Sequence, residues 1–186
     1  MKAHAKDSFR FKTGTSMNSY RIAHGFLVLW FAFSGTACSK KPNANRETVS
    51  SEPSVIDVDE EDPKMLKAIS EARSTLPAFW KALDSPQSGE SNFALKVKVE
   101  DEKGAEHIWL TNIERKDGEV YGTLDNEPGA LTSVKLGDRL KIEEKNISDW
   151  LYLRNGKMVG NRTIRPLFSK MTPEEVDEYK RMMVDP

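Results

Sequence analysis

The sequence predicts an α+β domain, a curved antiparallel sheet of five or six strands with a helix at its N-terminal end and another at its C-terminal end. Three observations carry this prediction. Apolar residues recur at helical spacing between Met65 and Leu83; several short β-prone runs follow, separated by turn dipeptides such as Asp117-Gly118 and Asn155-Gly156; and Thr172-Pro173-Glu174-Glu175 reads as the start of a last helix. A helix, then a run of hairpin-linked strands, then a helix is the order of an α+β fold rather than of alternating βα units.

The first helix opens at Asp62-Pro63, an acid suited to capping and a proline at the first helical position, where its missing N–H costs nothing. Met65, Ile69, Ala72, Leu76, Phe79, Trp80 and Leu83 then give one apolar face. Pro77 interrupts that face, so the segment is expected to kink or to split in two near Leu76. Ser85 to Ser91 reads as a loop. Phe93, Leu95, Val97 and Val99 alternate with polar or small residues, the period of a half-buried strand.

His107 to Ile113 forms the next strand, with Ile108 and Leu110 on one face and His107, Trp109, Thr111 and Ile113 on the other. Asp117-Gly118 turns the chain into Val120 to Leu124, where Gly122 marks a bulge or a close approach of backbone. Asn126 to Gly129 reads as a turn; Leu140 and Ile142 carry a short strand and Ile147 to Leu153 a longer one, joined through Asn155-Gly156 to Lys157 to Val159. Thr172 and Glu175 have the spacing of a capping box, opening a helix through Met182 or Met183. The pattern leaves closure of the sheet into a barrel open.

Residues 1–37 read as a signal peptide. Basic residues precede an apolar run from Gly25 to Phe33, and small residues Ser34, Gly35, Thr36 and Ala37 lead to Cys38. The run is far shorter than the roughly 20 residues a helix needs to cross hydrocarbon. Translation from Met17 instead of Met1 would give a leader of conventional length. The Thr36-Ala37-Cys38 junction resembles the lipobox of bacterial lipoproteins, although Gly35 stands where an aliphatic residue is usual. The resemblance implies a diacylglyceryl group on the Cys38 thiol, cleavage before Cys38 and an acylated new amino terminus. Ser39 looks like the sorting residue that sends Gram-negative lipoproteins to the outer membrane.

Residues 38–62 carry the lipid and a tether rich in Ser, Pro, Asn and acids, too polar to offset its own ordering entropy. As a flexible coil it would reach roughly 25–30 Å. Val55, Ile56 and Val58 are its one apolar interruption, a short edge strand or no element at all.

Charge narrows the function classes. Of 28 basic and 29 acidic residues, five and one precede Cys38, so the remainder holds 23 and 28, a formal charge of −5. An acidic domain is a poor match for a nucleic-acid backbone, which demands clustered positive charge. Cys38 is the single cysteine, which excludes an intramolecular disulfide.

From about Ala68 to Phe168 an ordered set of residues carries a second resemblance. It runs through Glu71-Ala72-Arg73, Leu76-Pro77, Phe79, Glu106-His107, Trp109, Gly122, Leu124, Asn126 and Pro128. It continues through Gly137-Asp138, Ile147, Asp149-Trp150, Tyr152, Gly156, Gly160-Asn161 and Thr163 to Arg165. The chain resembles the bacterial domain-of-unknown-function family 2314. That resemblance implies fold and surface, with no established chemistry to carry over.

Candidate chemistry is sparse. His107 is the sole histidine after Cys38, so no multi-histidine or thiolate zinc site can be assembled within one mature chain. Glu106 and His107 are adjacent and point to opposite faces of a strand. No nucleophile elbow, glycine-rich phosphate loop or dinucleotide fingerprint occurs, and no cofactor is implied. The group that could recognise a ligand is Asn126, Asp149, Trp150, Tyr152, Asn161, Thr163 and Arg165. In regular strands Ser148, Trp150 and Tyr152 share a face, Asp149 is a lone acid on the other, and Asn161, Thr163 and Arg165 align. These residues could read a peptide or carbohydrate through hydrogen bonds and an aromatic surface. The structural alternative pairs Asp149 with Arg165 and closes the core with the aromatics.

The resulting expectation is a noncatalytic cell-envelope module, lipid-anchored through Cys38 and facing the periplasm from the outer membrane, that weakly binds an envelope protein or polymer. The alternative is an enzyme acting on envelope material with Asp149 or Glu106 as general acid or base.

Overall fold

A computed structural model of the 186-residue chain describes residues 8–12, 55–59 and 61–184. Cys38, the apolar run before it and most of the tether lie outside the described residues. In chain order the elements are β1 (Ser8–Lys12), β2 (Val55–Asp59), α1 (Pro63–Ser74), α2 (Leu76–Asp84), β3 (Glu90–Asp101), β4 (Gly104–Lys116), β5 (Glu119–Leu124), β6 (Arg139–Ile142), β7 (Ile147–Arg154), β8 (Lys157–Gly160) and α3 (Pro173–Met182). Arg162–Lys170 winds as a 3-10 helix between β8 and α3.

Asp62 caps α1, its Oδ1 accepting from the backbone N–H groups of Lys64 (2.8 Å) and Met65 (3.4 Å). The helix ends at Thr75 and restarts at Leu76 with Pro77 in its first turn, the expected split. Proline there needs no N–H partner but cannot continue the preceding turn. The C-terminal capping box is complete: Thr172 Oγ1 accepts from the Glu175 N–H at 3.3 Å, and the Thr172 N–H donates to Glu175 Oε2 at 2.8 Å.

Strands β3 to β8 form an antiparallel, unclosed sheet in which β4, β3, β7 and β8 lie side by side and β5 and β6 extend from the outer edge of β4. The two remaining strands, β1 within the segment read as leader and β2 within the tether, add to this sheet at the N-terminal half of the β4 edge. The Val55, Ile56, Val58 interruption is thus a strand. Curvature enters through irregular pairing. Register shifts fall near Asn92 in β3 and between Thr111 and Glu114 in β4, and Asn92 and Asn112 both adopt positive φ. Asparagine tolerates that conformation at a bulge better than most side chains. The bulge at Asn92 also lets β3 start at Glu90, inside the segment expected to be loop.

Two further details depart from the sequence reading. A register shift between Lys96 and Val97 leaves Ser148 as the extra residue, so Val97 pairs with Ile147 while Lys96 pairs with Asp149. Ile147 consequently joins Trp150 and Tyr152 in the main core instead of standing on the opposite face. The Asn161 to Arg165 segment is not extended: Gly160 (φ +90°) and Asn161 (φ +52°) turn the chain into the 3-10 helix, which contains Pro166.

The core joins Leu76 and Phe79 of the helices to Leu95, Leu110, Leu124 and Trp150 of the sheet. Trp150 also closes the end of α1, its indole Nε1 donating to the Ala72 carbonyl at 2.9 Å. Arg73 does the reciprocal work, donating from Nε to the Ile147 carbonyl and from Nη2 to the Lys145 carbonyl, both at 2.7 Å. A smaller cluster of Met65, Ile69, Ile164, Leu167 and Met183 seats the 3-10 helix against α1.

Candidate functional site

Strand β3 divides its side chains between two environments, because successive residues of a strand point to opposite faces. Ala94 and Lys96 meet Leu151 and Asp149 across β7, and Lys96 faces Trp109 across β4. Leu95, Val97 and Val99 turn to the core and to an open cleft. Among the described residues, these two places hold a buried polar cluster and an open cleft.

The first is a buried polar cluster. Asp149 is fully buried; its Oδ2 accepts from the Thr163 N–H and hydroxyl, both at 2.7 Å, and its Oδ1 from the Trp150 N–H at 2.8 Å. Lys96, also buried, donates from Nζ to Thr163 Oγ1 at 3.1 Å and lies 4.7 Å from the Trp109 ring centroid. The Thr163 hydroxyl therefore links cation to anion, accepting from one and donating to the other. Burial pulls Lys96 down to about 8, and the negative charge of Asp149 opposes that shift.

Beside it, His107 Nδ1 lies 2.8 Å from Ser148 Oγ, and Ser148 Oγ donates to the Lys96 carbonyl at 3.2 Å. With the serine proton spent on that carbonyl, His107 must be the donor of the pair, which fixes the proton on Nδ1. Ser148 is thereby held with the wrong polarity for a serine nucleophile, whose proton has to pass to the histidine. Burial, then the charges of Lys96, Lys98 and Arg73, hold His107 down to about 3, so the ring is neutral at physiological pH.

The second place is an open cleft of about 400 Å³ between β3, β6 and the loop that joins β5 to β6. Val97, Val99, Leu110, Val134, Leu140 and Ile142 line it, and Lys98, Glu100, Lys141 and Glu143 rim it. Two carboxylates hold the loop in place. Glu106 accepts from the N–H groups of Gly129 (2.9 Å) and Ala130 (3.2 Å), and Asp101 from those of Thr132 (2.8 Å) and Ser133 (3.0 Å). These bonds, with one from the Lys103 N–H, bring Asp101 down to about 2. Glu106 is itself buried in the sheet.

The residues singled out from the sequence separate accordingly. Asp149 and Thr163 are brought together. Asn161 is buried next to them in sequence, its N–H bonded to the Trp150 carbonyl and its Nδ2 3.1 Å from Met158 Sδ. Trp150 and Tyr152 stack with centroids 6.0 Å apart, and Tyr152 stacks in turn on Phe93; all lie in or against the core. Asn126 bonds within its own loop, to the Glu127 carbonyl at 3.3 Å, and Arg165 is half-buried in the 3-10 helix. The cation facing Asp149 is Lys96, a residue the alternation of β3 had assigned to the polar face. The signal was present: a lone acid on an apolar strand face calls for a buried donor on the strand beside it.

Among the described residues no three His, Cys, Asp or Glu side chains converge as metal ligands, and no helix is long and apolar enough to cross a membrane.

Comparison with known proteins places this chain in a family. Over 120 residues the chain is 35% identical to the uncharacterized protein YegJ of Escherichia coli K12, spanning 64% of this chain and 77% of that protein. It is 34% identical over 131 residues to a putative ankyrin repeat protein of Neisseria meningitidis serogroup B, a match spanning 66% of this chain and 51% of the relative. No solved structure is a significant match. Residues 62–184, from the α1 cap through α3, match the model of uncharacterized proteins conserved in bacteria, DUF2314, and the chain belongs to that family.

Proposed function

We propose that this chain is the precursor of a noncatalytic cell-envelope lipoprotein, held by lipid on Cys38, whose domain binds an envelope protein or polymer weakly at the cleft between β3, β6 and the β5–β6 loop. The observation that carries the reading is the contrast between polar groups satisfied inside the fold and apolar side chains left open at the cleft. Asp149, Thr163, Lys96 and Ser148 satisfy one another or backbone inside the fold. The cleft instead keeps an apolar lining that the fold leaves uncovered, while Lys98, Lys141 and Glu143 beside it are paired with Glu100, Glu119 and Lys145. Such an open apolar surface favours contact over chemistry. Asn126 lies earlier on the loop that continues to Ser133 and Val134 and is not itself among the residues that line the cleft.

The enzyme alternative asked Asp149 or Glu106 to act as general acid or base. Both are buried, 0% and 2% exposed, with their oxygens occupied by backbone N–H groups. A general acid or base must reach a substrate proton within hydrogen-bonding distance. Their placement supports anchoring roles instead, Glu106 for the loop and Asp149 for the 3-10 helix.

Two measurements test the proposal. An intact-mass spectrum of protein extracted from its native membrane should show a chain beginning at Cys38 with added acyl mass, and Cys38→Ser should abolish that mass. An unmodified native chain retaining residue 37 overturns the anchor. For the cleft, a photo-crosslinking residue at Ser133 should label an envelope protein or peptidoglycan fragment that the same probe at exposed Lys157 does not. Equal labelling from both positions overturns the binding face.

A further inference from the structure

We infer that the cleft receives its partner as an added β-strand, an extended peptide with aliphatic side chains at alternate positions, laid along the free edge of β6. The inference rests on the proposed reading of the cleft as the binding face and deepens it by naming the class of partner, a peptide main chain rather than a glycan.

The cleft lies where the sheet fails to close. On one side, pairing of β3 with β7 ends at Val97 opposite Ile147, although β3 continues to Asp101. On the other, β6 pairs with β5 alone among the described strands. Alternate residues of an antiparallel strand turn both N–H and C=O to the same neighbour, so a single bond at the end of a strand fixes the direction of the rest. The Leu124 N–H donates to the Asp138 carbonyl at 2.9 Å. Along the register from that pair, Gly122 and Val120 bond Leu140 and Ile142, so Arg139 and Lys141 turn their N–H and C=O away from β5. The Asp125 N–H donates to the Trp109 carbonyl at 3.0 Å, which leaves Ile108 and Glu106 to bond Val97 and Val99 and turns the main chain of Glu100 to the cleft side. The Lys96 carbonyl, in phase with Glu100, accepts from Ser148 on β7, as this alternation requires.

Lys141 and Glu100 thus line the cleft with their main chain, while their side chains stand on the opposite face, paired with Glu119 and Lys98. The side chains of Val97, Val99, Val134 and Leu140 line the same space. The β6 edge, four residues long, measures about 13 Å at the usual rise of a strand. Strand edges with unbonded N–H and C=O groups are templates for an added strand, whose main chain supplies affinity and whose alternate side chains supply fit. A peptide laid on β6 would bond at Arg139 and Lys141 and turn every second side chain onto the apolar lining. A glycan would need an aromatic face to stack on or charged side chains to grip its hydroxyls. No residue lining the cleft is aromatic, and Glu100, Lys141 and Glu143 are engaged in ion pairs.

The probe is an end-blocked heptapeptide of alternating threonine and valine, presented to the full chain in detergent, with the same peptide methylated at its valine nitrogens as the control. The unmethylated peptide should bind saturably and slow exchange of the Lys141 amide proton, read by NMR, severalfold more than that of Ile142, which β5 already holds. Methylation keeps the side chains and removes the N–H donors along one side of the strand, so binding should weaken about tenfold or more. Lys141→Pro removes an N–H that an edge strand can lose without unfolding and should abolish binding, whereas Lys141→Ala, which keeps that N–H, should preserve it. Equal binding of the two peptides, loss of binding in Lys141→Ala, or no binding of the parent peptide overturns the strand. The cleft reading fails separately: selective labelling from Ser133 without peptide binding overturns the strand alone, and equal labelling from Ser133 and Lys157 overturns the binding face and the strand with it.

Discussion

The buried cluster around Lys96 and the cleft around Val97 and Val99 are built by neighbouring residues of the same strand, yet they solve opposite problems. On one face a lysine, an aspartate and a threonine lie in a place water does not reach, and they persist there because each supplies what another lacks. On the other face apolar side chains line a depression that the fold leaves uncovered. Polar groups that are fully satisfied internally specify an arrangement; apolar groups left open invite a partner. Polar character, usually the first cue to function, here marks architecture.

The sharpest way to break that contrast is to unbalance the cluster. Asp149→Ala removes the acceptor of the Thr163 hydroxyl and N–H and leaves Lys96 buried without its nearby anion. Breaking one side of a buried ion pair costs roughly 3–5 kcal/mol, whereas replacing both sides by apolar groups is often close to neutral. Urea unfolding should therefore show a large loss for Asp149→Ala and substantial recovery in the Lys96→Met, Asp149→Leu double variant. A double variant as unstable as the single one would mean that the cluster does more than balance charge.

Acid should separate the two regions by pH. His107 is held at about 3, below its ordinary 6.5, so between those values the unfolded chain binds a proton that the folded chain refuses, and stability falls as pH drops through this window. The loss is on the order of 2–4 kcal/mol by pH 3. Asp101, held at about 2 by the backbone of the cleft loop, keeps its contribution above its ordinary 3.8 and loses it as pH falls toward 2. His107→Gln should flatten the upper part of the unfolding curve between pH 6.5 and 4 and leave the lower part. On the alkaline side the sign is the same: Lys96, lowered to about 8, leaves the unfolded chain holding the extra proton between pH 8 and 10.5, so the fold should gain stability as pH rises through that window.

Gly160→Ala tests the turn that delivers Thr163 to the cluster. At φ +90° an L side chain is strained, and a Cβ would stand 2.3 Å from the Trp150 carbonyl oxygen and 2.7 Å from its ring. Strain and overpacking together should cost roughly 2–3 kcal/mol, read by thermal unfolding. Gly156→Ala, also at positive φ but in open space, should cost less.

Much of the fold is legible in the sequence because local signals agree with the global arrangement. Asp62-Pro63, the Pro77 split, Asn155-Gly156 and the Thr172 capping box each act within a few residues, and each appears where the chain predicts it. What escapes depends on contacts distant in sequence. The register shift at Lys96 is a property of two strands packing together, and nothing in Ile147 to Leu153 alone shows that Ser148 is extra. Asn161 to Arg165 looks extended until Gly160 and Asn161 both take positive φ. The site is less legible than the fold for the same reason. Asp149 stands out as a lone acid, but its partner comes from 53 residues earlier in the chain, and the cleft is a gap between elements that no single segment contains.

The smallest expected change in stability belongs to the cleft, and it tests the reading of function most directly. Val134 is half-buried at the cleft wall, on a loop held by the bonds of Glu106 and Asp101 to neighbouring backbone. Val134→Ser trims apolar surface without touching those anchors, so unfolding stability should move by no more than about 0.5–1 kcal/mol. Crosslinking from Ser133 to the envelope partner should nonetheless fall severalfold, because loss of about 1 kcal/mol at a contact is a factor of roughly five in affinity. If stability and crosslinking fall together, Val134 serves the core and the cleft is a packing defect; if crosslinking falls alone, the open face is the one that meets the partner.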